Sequence, residues 1–135
     1  IGGSNSGAPE VASQGNGDFV VVYADAPGLL GQRYDADGAP LGNPFQISSG
    51  GGLPSISSRA DGDFLVTWHA FNQAGAGFGV FGRRFDNAGR PLGAEFQVNS
   101  YTTGWQEESS VASEADGTFV VAWQGNEQDG SDFGL

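Results

Sequence analysis

Six aspartates recur at short, regular spacings in this sequence and are the first candidates for chemistry. They are Asp35, Asp37, Asp61, Asp63, Asp86 and Asp116. Pairs of carboxyl groups hydrolyse glycosides, with one group acting as a general acid and the other as a base or nucleophile. Most of these aspartates, however, lie beside glycine in turn-forming sequences, where the carboxylate accepts hydrogen bonds from its own backbone. The sequence therefore predicts turn caps in preference to a catalytic pair.

The other catalytic residue types are scarce. His69 is the single histidine, and cysteine is absent. Nucleophilic catalysis needs a base beside its nucleophile, and no serine partner of His69 is evident. We predict that the protein is not an enzyme and that His69 lies on the surface at a strand end. Residues 113–119 faintly resemble the Asp-box of sialidase-type propellers. The arginine cluster with which such an enzyme would bind a carboxylate is not apparent in the sequence, so a glycosidase-type propeller enzyme is a distant alternative.

Residues 126–132 form the densest group of oxygen donors in the chain. Calcium is bound by several oxygens in a flexible loop, and Asp129 and Asp132 are the weak candidates for that role. The stretch lacks both the EF-hand spacing and the nonapeptide pattern of a calcium β-roll. We predict a solvated acidic loop and no cofactor, with calcium left as the alternative.

Aromatic and amide side chains in the predicted loops form the best candidate for ligand binding. They are Tyr101, Trp105, Asn72, Gln73, Asn126 and Gln128. A flat aromatic ring can stack on a sugar while amides bind its hydroxyl groups. The alternative for Trp105 is packing against a neighbouring unit. Trp68 and Trp123 close apolar runs, and for them we predict core packing.

Two arginines occupy equivalent positions. Arg33 and Arg84 each stand two residues before an aspartate, Asp35 or Asp86, and therefore on the same strand face as that aspartate. In an acidic chain, a repeated arginine is explained most simply by a structural ion pair or a bond to a nearby carbonyl. We predict a structural role for both.

A tandem repeat positions all of these residues. The sequence FVVVY at 19–23 recurs as FLVTW at 64–68 and FVVAW at 119–123, at spacings of 45 and 55 residues. Such periods are typical of propellers and solenoids. Asn-Gly or Asp-Gly precedes each copy and supplies the positive φ of a tight hairpin. We find no amphipathic helical period, so each repeat is predicted to be an antiparallel meander.

Each full repeat contains four extended runs, which is the number of strands in a propeller blade. In the first repeat the runs are residues 10–13, 19–23, 29–35 and 45–47. Both faces of the second run are apolar, so we expect neighbouring units to cover it on both sides. A β-sandwich and a β-solenoid are the rival architectures.

We therefore predict an all-β fold of propeller blades forming one incomplete domain over residues 1–135. The predicted bounds are about 9–47 for blade 1, 54–98 for blade 2 and 109–135 for a partial blade 3. Because two blades and part of a third cannot close a ring, we expect either further chain or assembly with other copies.

Composition narrows the class of partner. The formal net charge is −11, and the basic residues are five arginines. Nucleic acid is excluded as a partner because phosphate neutralisation requires basic clusters. No apolar run approaches the roughly 18 residues of a membrane span, so membrane insertion is not expected. An acidic chain without cysteine and rich in glycine, asparagine and serine fits a bacterial exported or surface protein that does not depend on disulfides, with a cytosolic protein as the alternative.

Several blocks resemble the repeats of large bacterial secreted and surface proteins, often found beside haemolysin-type calcium-binding regions. They are residues 64–68, 79–86, 95–99 and 119–124. The resemblance implies a propeller-like, extracellular, non-catalytic array and transfers no catalytic residue. The first copy departs from the pattern, since residues 24–27 replace a longer loop.

The predicted function is a structural or adhesive interaction module of a bacterial extracellular or surface protein. An acidic surface would keep such a protein soluble. A glycan-binding, lectin-like propeller is the alternative. The expected partners are other copies or the rest of a longer parent chain, and glycans or surface proteins.

Overall fold

A computed structural model of the chain describes residues 9–72, 77–98, 106–114 and 116–125. Within these ranges the fold is all-β, and none of the secondary structure is a helix that could cross a membrane. The strands are β1 (Glu10–Ser13), β2 (Phe19–Asp25), β3 (Gly28–Tyr34), β4 (Pro40–Ser48), β5 (Gly52–Ser58), β6 (Phe64–Asn72), β7 (Gly77–Phe85), β8 (Phe96–Gln97), β9 (Gln106–Ser113) and β10 (Phe119–Gly125).

Sequential hairpins arrange these strands in three sheets. The first sheet has the order β1-β2-β3-β4 and the second β5-β6-β7-β8, while β9 and β10 pair in the third. Every pairing is antiparallel. The predicted four-stranded antiparallel meanders are therefore confirmed for the first two repeats. Residues 126–135 of the predicted third unit lie outside the described ranges.

Glycines in the left-handed region make the first hairpin turn of each repeat. The φ angles are 95° at Gly17, 90° at Gly62 and 90° at Gly117. Glycine adopts this region without the steric penalty that a Cβ would bring. The turn chemistry predicted from the Asn-Gly and Asp-Gly pairs is confirmed.

The fourth strand differs between the first two sheets. In the first sheet, β4 begins at Pro40, five residues before the predicted start, and a register shift in β3 lets Pro40 pair with Tyr34. In the second sheet, Pro91 makes only an isolated bridge to Phe85, and β8 is two residues long. The length of this edge strand is set by its pairing with the neighbouring strand, and the apolar pattern of the sequence does not predict that pairing.

The main core lies between the first and second sheets. Val20 and Val22 from β2 and Phe64, Val66 and Trp68 from β6 are all buried in one cluster. Alternation along each strand places these side chains on facing sides of the two sheets. Burial of this apolar surface is the main force holding the sheets together.

An aromatic group closes this core beside the turns. The rings of Phe64 and Phe85 stack with centroids 5.2 Å apart, and Phe45 of β4 lies tilted against them at 6.1 and 5.6 Å. Phe45 reaches this position by lying flat across Gly31, where a side chain would overlap its ring. Aromatic pairs in this geometry add stabilisation beyond burial alone.

The expectation that every second run is covered on both faces holds only for β6. Leu65 and Thr67 on its other face are buried beneath the third sheet. In β2, Phe19 and Val21 on the other face are only half-buried although Tyr23 beside them is buried, and in β10 Val120 is exposed. The prediction is therefore wrong for the two outer sheets, since each has a neighbour on one side only among the described residues.

Candidate functional site

Most of the predicted ligand-binding residues fall outside the described parts of the chain. Asn72 is the exception and ends β6, where it pairs with Gly77 of β7. The others are Tyr101, Trp105, Gln73, Asn126 and Gln128, together with the calcium candidates Asp129 and Asp132. In the described ranges no group of three or more histidine, cysteine or acidic residues could hold a metal ion. Glycan and calcium binding remain predictions of the sequence.

The structure instead draws attention to the contacts between successive sheets, which use the same position of each repeat. The Ser58 hydroxyl donates to the carbonyl of Ser13, and the Ser113 hydroxyl donates to the carbonyl of Ser58 at 2.6 Å. These serines end β1, β5 and β9, and β5 contacts both of the other strands. A serine ladder therefore joins the first strands of all three sheets.

Gln14 makes a second link between the first and second sheets. Its Nε2 donates to the carbonyls of Gly62 and Asn87, both at 3.0 Å, while Arg33 Nε donates to its Oε1 at 3.4 Å. The side chain is buried in a cleft of about 400 Å³ whose lining also includes Asp61. Because buried amides are costly unless bonded, this cleft is built to hold two sheets together.

Arg59 occupies the position of Gln14 in the second repeat. Its guanidinium lies against Gly117 of the third sheet, where only a glycine leaves room, and 3.9 Å from the Asp61 carboxylate. The residue after the ladder serine thus reaches the next turn glycine in both interfaces. Neither Gln14 nor Arg59 was predicted from the sequence to join the sheets. A signal was present, since a long polar residue follows the serine in all three copies, as Gln14, Arg59 and Glu114.

A more apolar cavity lies between the second and third sheets. It has a volume of about 760 Å³, and its lining includes Leu65, Phe96, Phe119 and Val121. Arg84 covers the Phe119 ring, with its guanidinium carbon 5.2 Å from the ring centroid. The equivalent space between the first two sheets is filled by Phe85 and Phe45.

The two equivalent arginines take different partners from those predicted. Arg33 bonds to Gln14, and Arg84 packs over Phe119, so each contributes to an interface between sheets. An ion pair needs a carboxylate on the same strand face, whereas Asp35 and Asp86 turn away to cap their own loops. The structural role is retained, but by means of an amide and an aromatic ring.

The aspartates of the turns act as caps, as predicted. Single carboxylate oxygens of four of them accept bonds from backbone N–H groups two or four residues ahead. The four are Asp35, Asp61, Asp86 and Asp116. Asp63 instead accepts from the backbone of Asn87 at 3.0 Å and so joins two hairpins of the second sheet.

Two of these carboxyl groups have lowered pKa values. Desolvation raises the pKa of Asp86, but the backbone bonds from Arg90 and Ala88 and the Arg90 side chain at 2.8 Å outweigh it. Bonds from Thr118 lower the pKa of Asp116. A general acid at neutral pH needs a raised pKa. Both groups are therefore suited to capping and not to protonating a leaving group.

Replacement of Asp86 by asparagine tests this cap. Asp86→Asn keeps the acceptor oxygen but loses the charge that faces Arg90, so we expect a loss of about 0.5–1 kcal/mol at pH 7. Because the folded-state pKa is depressed, the difference from wild type should be full above the ordinary value of 3.8 and should shrink as pH falls through the folded-state pKa. Urea denaturation at several pH values measures it.

Asp35→Asn is the matched control, because Ala39 stands where the second sheet has Arg90. We expect a smaller loss than in Asp86→Asn. Equal losses in the two variants, or a difference that does not change with pH, would contradict the role assigned to the Arg90 pair.

His69 and two tryptophans lie at positions that differ in part from those predicted. His69 lies within β6, between Gly52 and Val80, and is half-buried, so the strand-end surface position predicted for it is wrong. The strand continues because its hairpin with β7 is longer than the apolar run indicated. Trp68 is a core residue as predicted, whereas Trp123 is half-buried in the third sheet.

Comparisons with family models, with curated proteins and with solved structures found no match to this chain.

Proposed function

We propose that the chain is a non-catalytic β-propeller-type repeat module with a structural and adhesive role in a bacterial extracellular or surface protein. The observation that carries the proposal is the repeated junction between sheets. The serine ladder links three successive first strands, and the residues after Ser13 and Ser58, Gln14 and Arg59, contact the turn glycine of the next sheet. A repeat whose units are built to stack on one another is suited to structural work.

The arrangement of the sheets supports the propeller interpretation. Four-stranded meanders stack face to face, and their first strands β1, β5 and β9 are neighbours, as strands near the axis of a propeller would be. In the second sheet, both faces of β6 are buried between its two neighbours. These features favour blades over the two layers of a sandwich.

The chemistry of the described side chains supports a role without catalysis. The aspartates bond to their own turns, and the arginines bind an amide or an aromatic ring in the interfaces. In the 400 Å³ cleft, the buried Gln14 amide bonds to Gly62, Asn87 and Arg33. A net charge of −11 suits a long exported repeat protein that must stay soluble, and a chain without cysteine needs no disulfide outside the cytoplasm.

Surface display tests the adhesive role. A non-adherent bacterium that displays the whole chain is expected to be retained on protein-coated surfaces, or on surfaces carrying the same chain, several-fold more than the bacterium without it. Retention on no surface would overturn the adhesive function. Turnover of model glycosides by the purified chain would overturn the non-catalytic one.

A glycan array separates this proposal from the lectin. We expect no glycan signal from the displayed chain. A strong signal that disappears in Trp105→Ala, while the melting temperature is retained, would replace the proposal with carbohydrate binding through the candidate loops. The melting temperature serves as the control, because loss of fold would remove any binding.

A further inference from the structure

One apolar position in the first strand of each sheet is buried or exposed according to whether another sheet packs over it. Ile56 and Val111 are 8% and 9% exposed, because the first and second sheets respectively cover them. Val11 holds the same position in the first sheet and is 62% exposed. At this position the first sheet therefore presents an exposed apolar residue, whereas the second and third sheets bury theirs.

The same face of the first sheet carries a stacked aromatic pair that is only half-buried. Phe19 and Tyr34 stack with centroids 5.2 Å apart, the same separation as their counterparts Phe64 and Phe85. The counterparts are fully buried, whereas Phe19 and Tyr34 are half-buried. We call the surface formed by Val11, Phe19, Val21 and Tyr34 the leading face.

The third sheet carries the opposite surface. Val20 of the first sheet and Leu65 of the second are buried where they face the next sheet. Their counterpart Val120 is 52% exposed, and Ala122 beside it on the same face is exposed. We call the surface formed by Val120 and Ala122 the trailing face.

We propose that the trailing face of one molecule docks on the leading face of a second copy of this chain, head to tail. The interface between the first and second sheets already joins these two types of surface, with Val20 and Val22 packed against Ile56 and Val66. A second copy brings the same residue types to the same positions. The inference deepens the proposed function and rests on it.

Such an interface is heterologous, since each molecule uses two different patches. It forms a closed ring or an open chain of molecules, according to the rotation between copies. The net charge of −11 opposes association of like molecules, so the apolar contact must overcome repulsion. Added salt screens that repulsion and is expected to strengthen assembly.

Sedimentation of purified variants tests the docking. The wild-type chain is expected to form oligomers as its concentration is raised to about 0.5 mM, and to form more of them in high salt than in low salt. Val11→Arg blocks the leading face and Val120→Arg the trailing face. Each is expected to be monomeric, and because both side chains are exposed, neither should disturb the fold. Circular dichroism and the melting temperature verify this.

The matched control is Leu92→Arg. Leu92 is 57% exposed in the segment between β7 and β8 and belongs to neither face. Leu92→Arg adds the same charge as Val11→Arg and Val120→Arg, so it should assemble as the wild type does.

Mixing the two monomeric variants decides the geometry. Val11→Arg retains a trailing face and Val120→Arg a leading face, so an equimolar mixture should form 1:1 dimers and nothing larger. Association of Val11→Arg alone would overturn the proposal in favour of a symmetrical contact between trailing faces. A wild type that stays monomeric at all salt concentrations would also overturn it.

These outcomes are separate from those of the proposed function. A folded monomer whose displayed form still confers adhesion would refute only the docking. Head-to-tail assembly without adhesion to any surface would refute only the adhesive role.

Discussion

Phe64→Ala is expected to destabilise the chain by about 3–5 kcal/mol, the usual cost of removing a large aromatic side chain from a core. Phe64 is buried between the first two sheets, stacked on Phe85 and in contact with Phe45. Its removal leaves a cavity that two sheets must collapse to fill. Equilibrium urea denaturation followed by far-ultraviolet circular dichroism measures the loss.

Phe119→Ala provides the matched control, since Phe119 holds the same repeat position in the third sheet. Phe119 is half-buried and lines an existing cavity, with Arg84 over its ring. We expect a loss of about 1–2 kcal/mol, in proportion to the apolar area removed from contact. Should Phe64→Ala fail to fold, Phe64→Leu is expected to fold with a smaller loss. Equal losses at the two positions would contradict the core described between the first two sheets.

Gly31→Ala is expected to cost about 2–3 kcal/mol, in the range of overpacked cores. A Cβ at this position would overlap the Phe45 ring. Phe45 cannot move aside without breaking its contacts with Phe64 and Phe85. The cost therefore arises because the Phe45 ring is displaced from its contacts with Phe64 and Phe85, and not because the backbone of β3 is strained. The same denaturation experiment measures it.

The second repeat contains the matched pair for this experiment. A Cβ at Gly82 would lie 3.0 Å from the tip of the Phe96 ring, but Phe96 is 41% exposed and can swing into solvent. Gly82→Ala is expected to cost less than about 1 kcal/mol. A loss as large as that of Gly31→Ala would show that Phe96 is held as firmly as Phe45, contrary to the structure.

The two glycine positions show why sequence alone ranks such residues poorly. Gly31 and Gly82 stand in the same repeat position, and each pairs across the sheet with the equivalent phenylalanine of the fourth strand, Phe45 or Phe96. Phe45 meets the aromatic pair of the second sheet, whereas Phe96 lines the cavity between the second and third sheets and is exposed. The difference comes from residues many positions away. A local pattern contains no information about it.

The predicted candidate site shows the same division. Turn caps at Asp35, Asp61, Asp86 and Asp116 could be predicted, because each involves residues within four positions of the carboxylate. Gln14 could not, because its partners Gly62 and Asn87 lie 48 and 73 residues away. The serine ladder likewise joins residues one repeat apart.

The sequence by itself determined the strands, their antiparallel hairpins and the turns between them. Apolar runs, Asn-Gly and Asp-Gly pairs and a repeat period act over a few residues, and backbone hydrogen bonding follows from them directly. Tertiary structure alone decided which face of each sheet is covered, how long β4 and β8 become and which polar residues join the sheets. Stacking of sheets depends on surfaces brought together from distant parts of the chain, so equivalent side chains such as Val11 and Ile56 end in different environments.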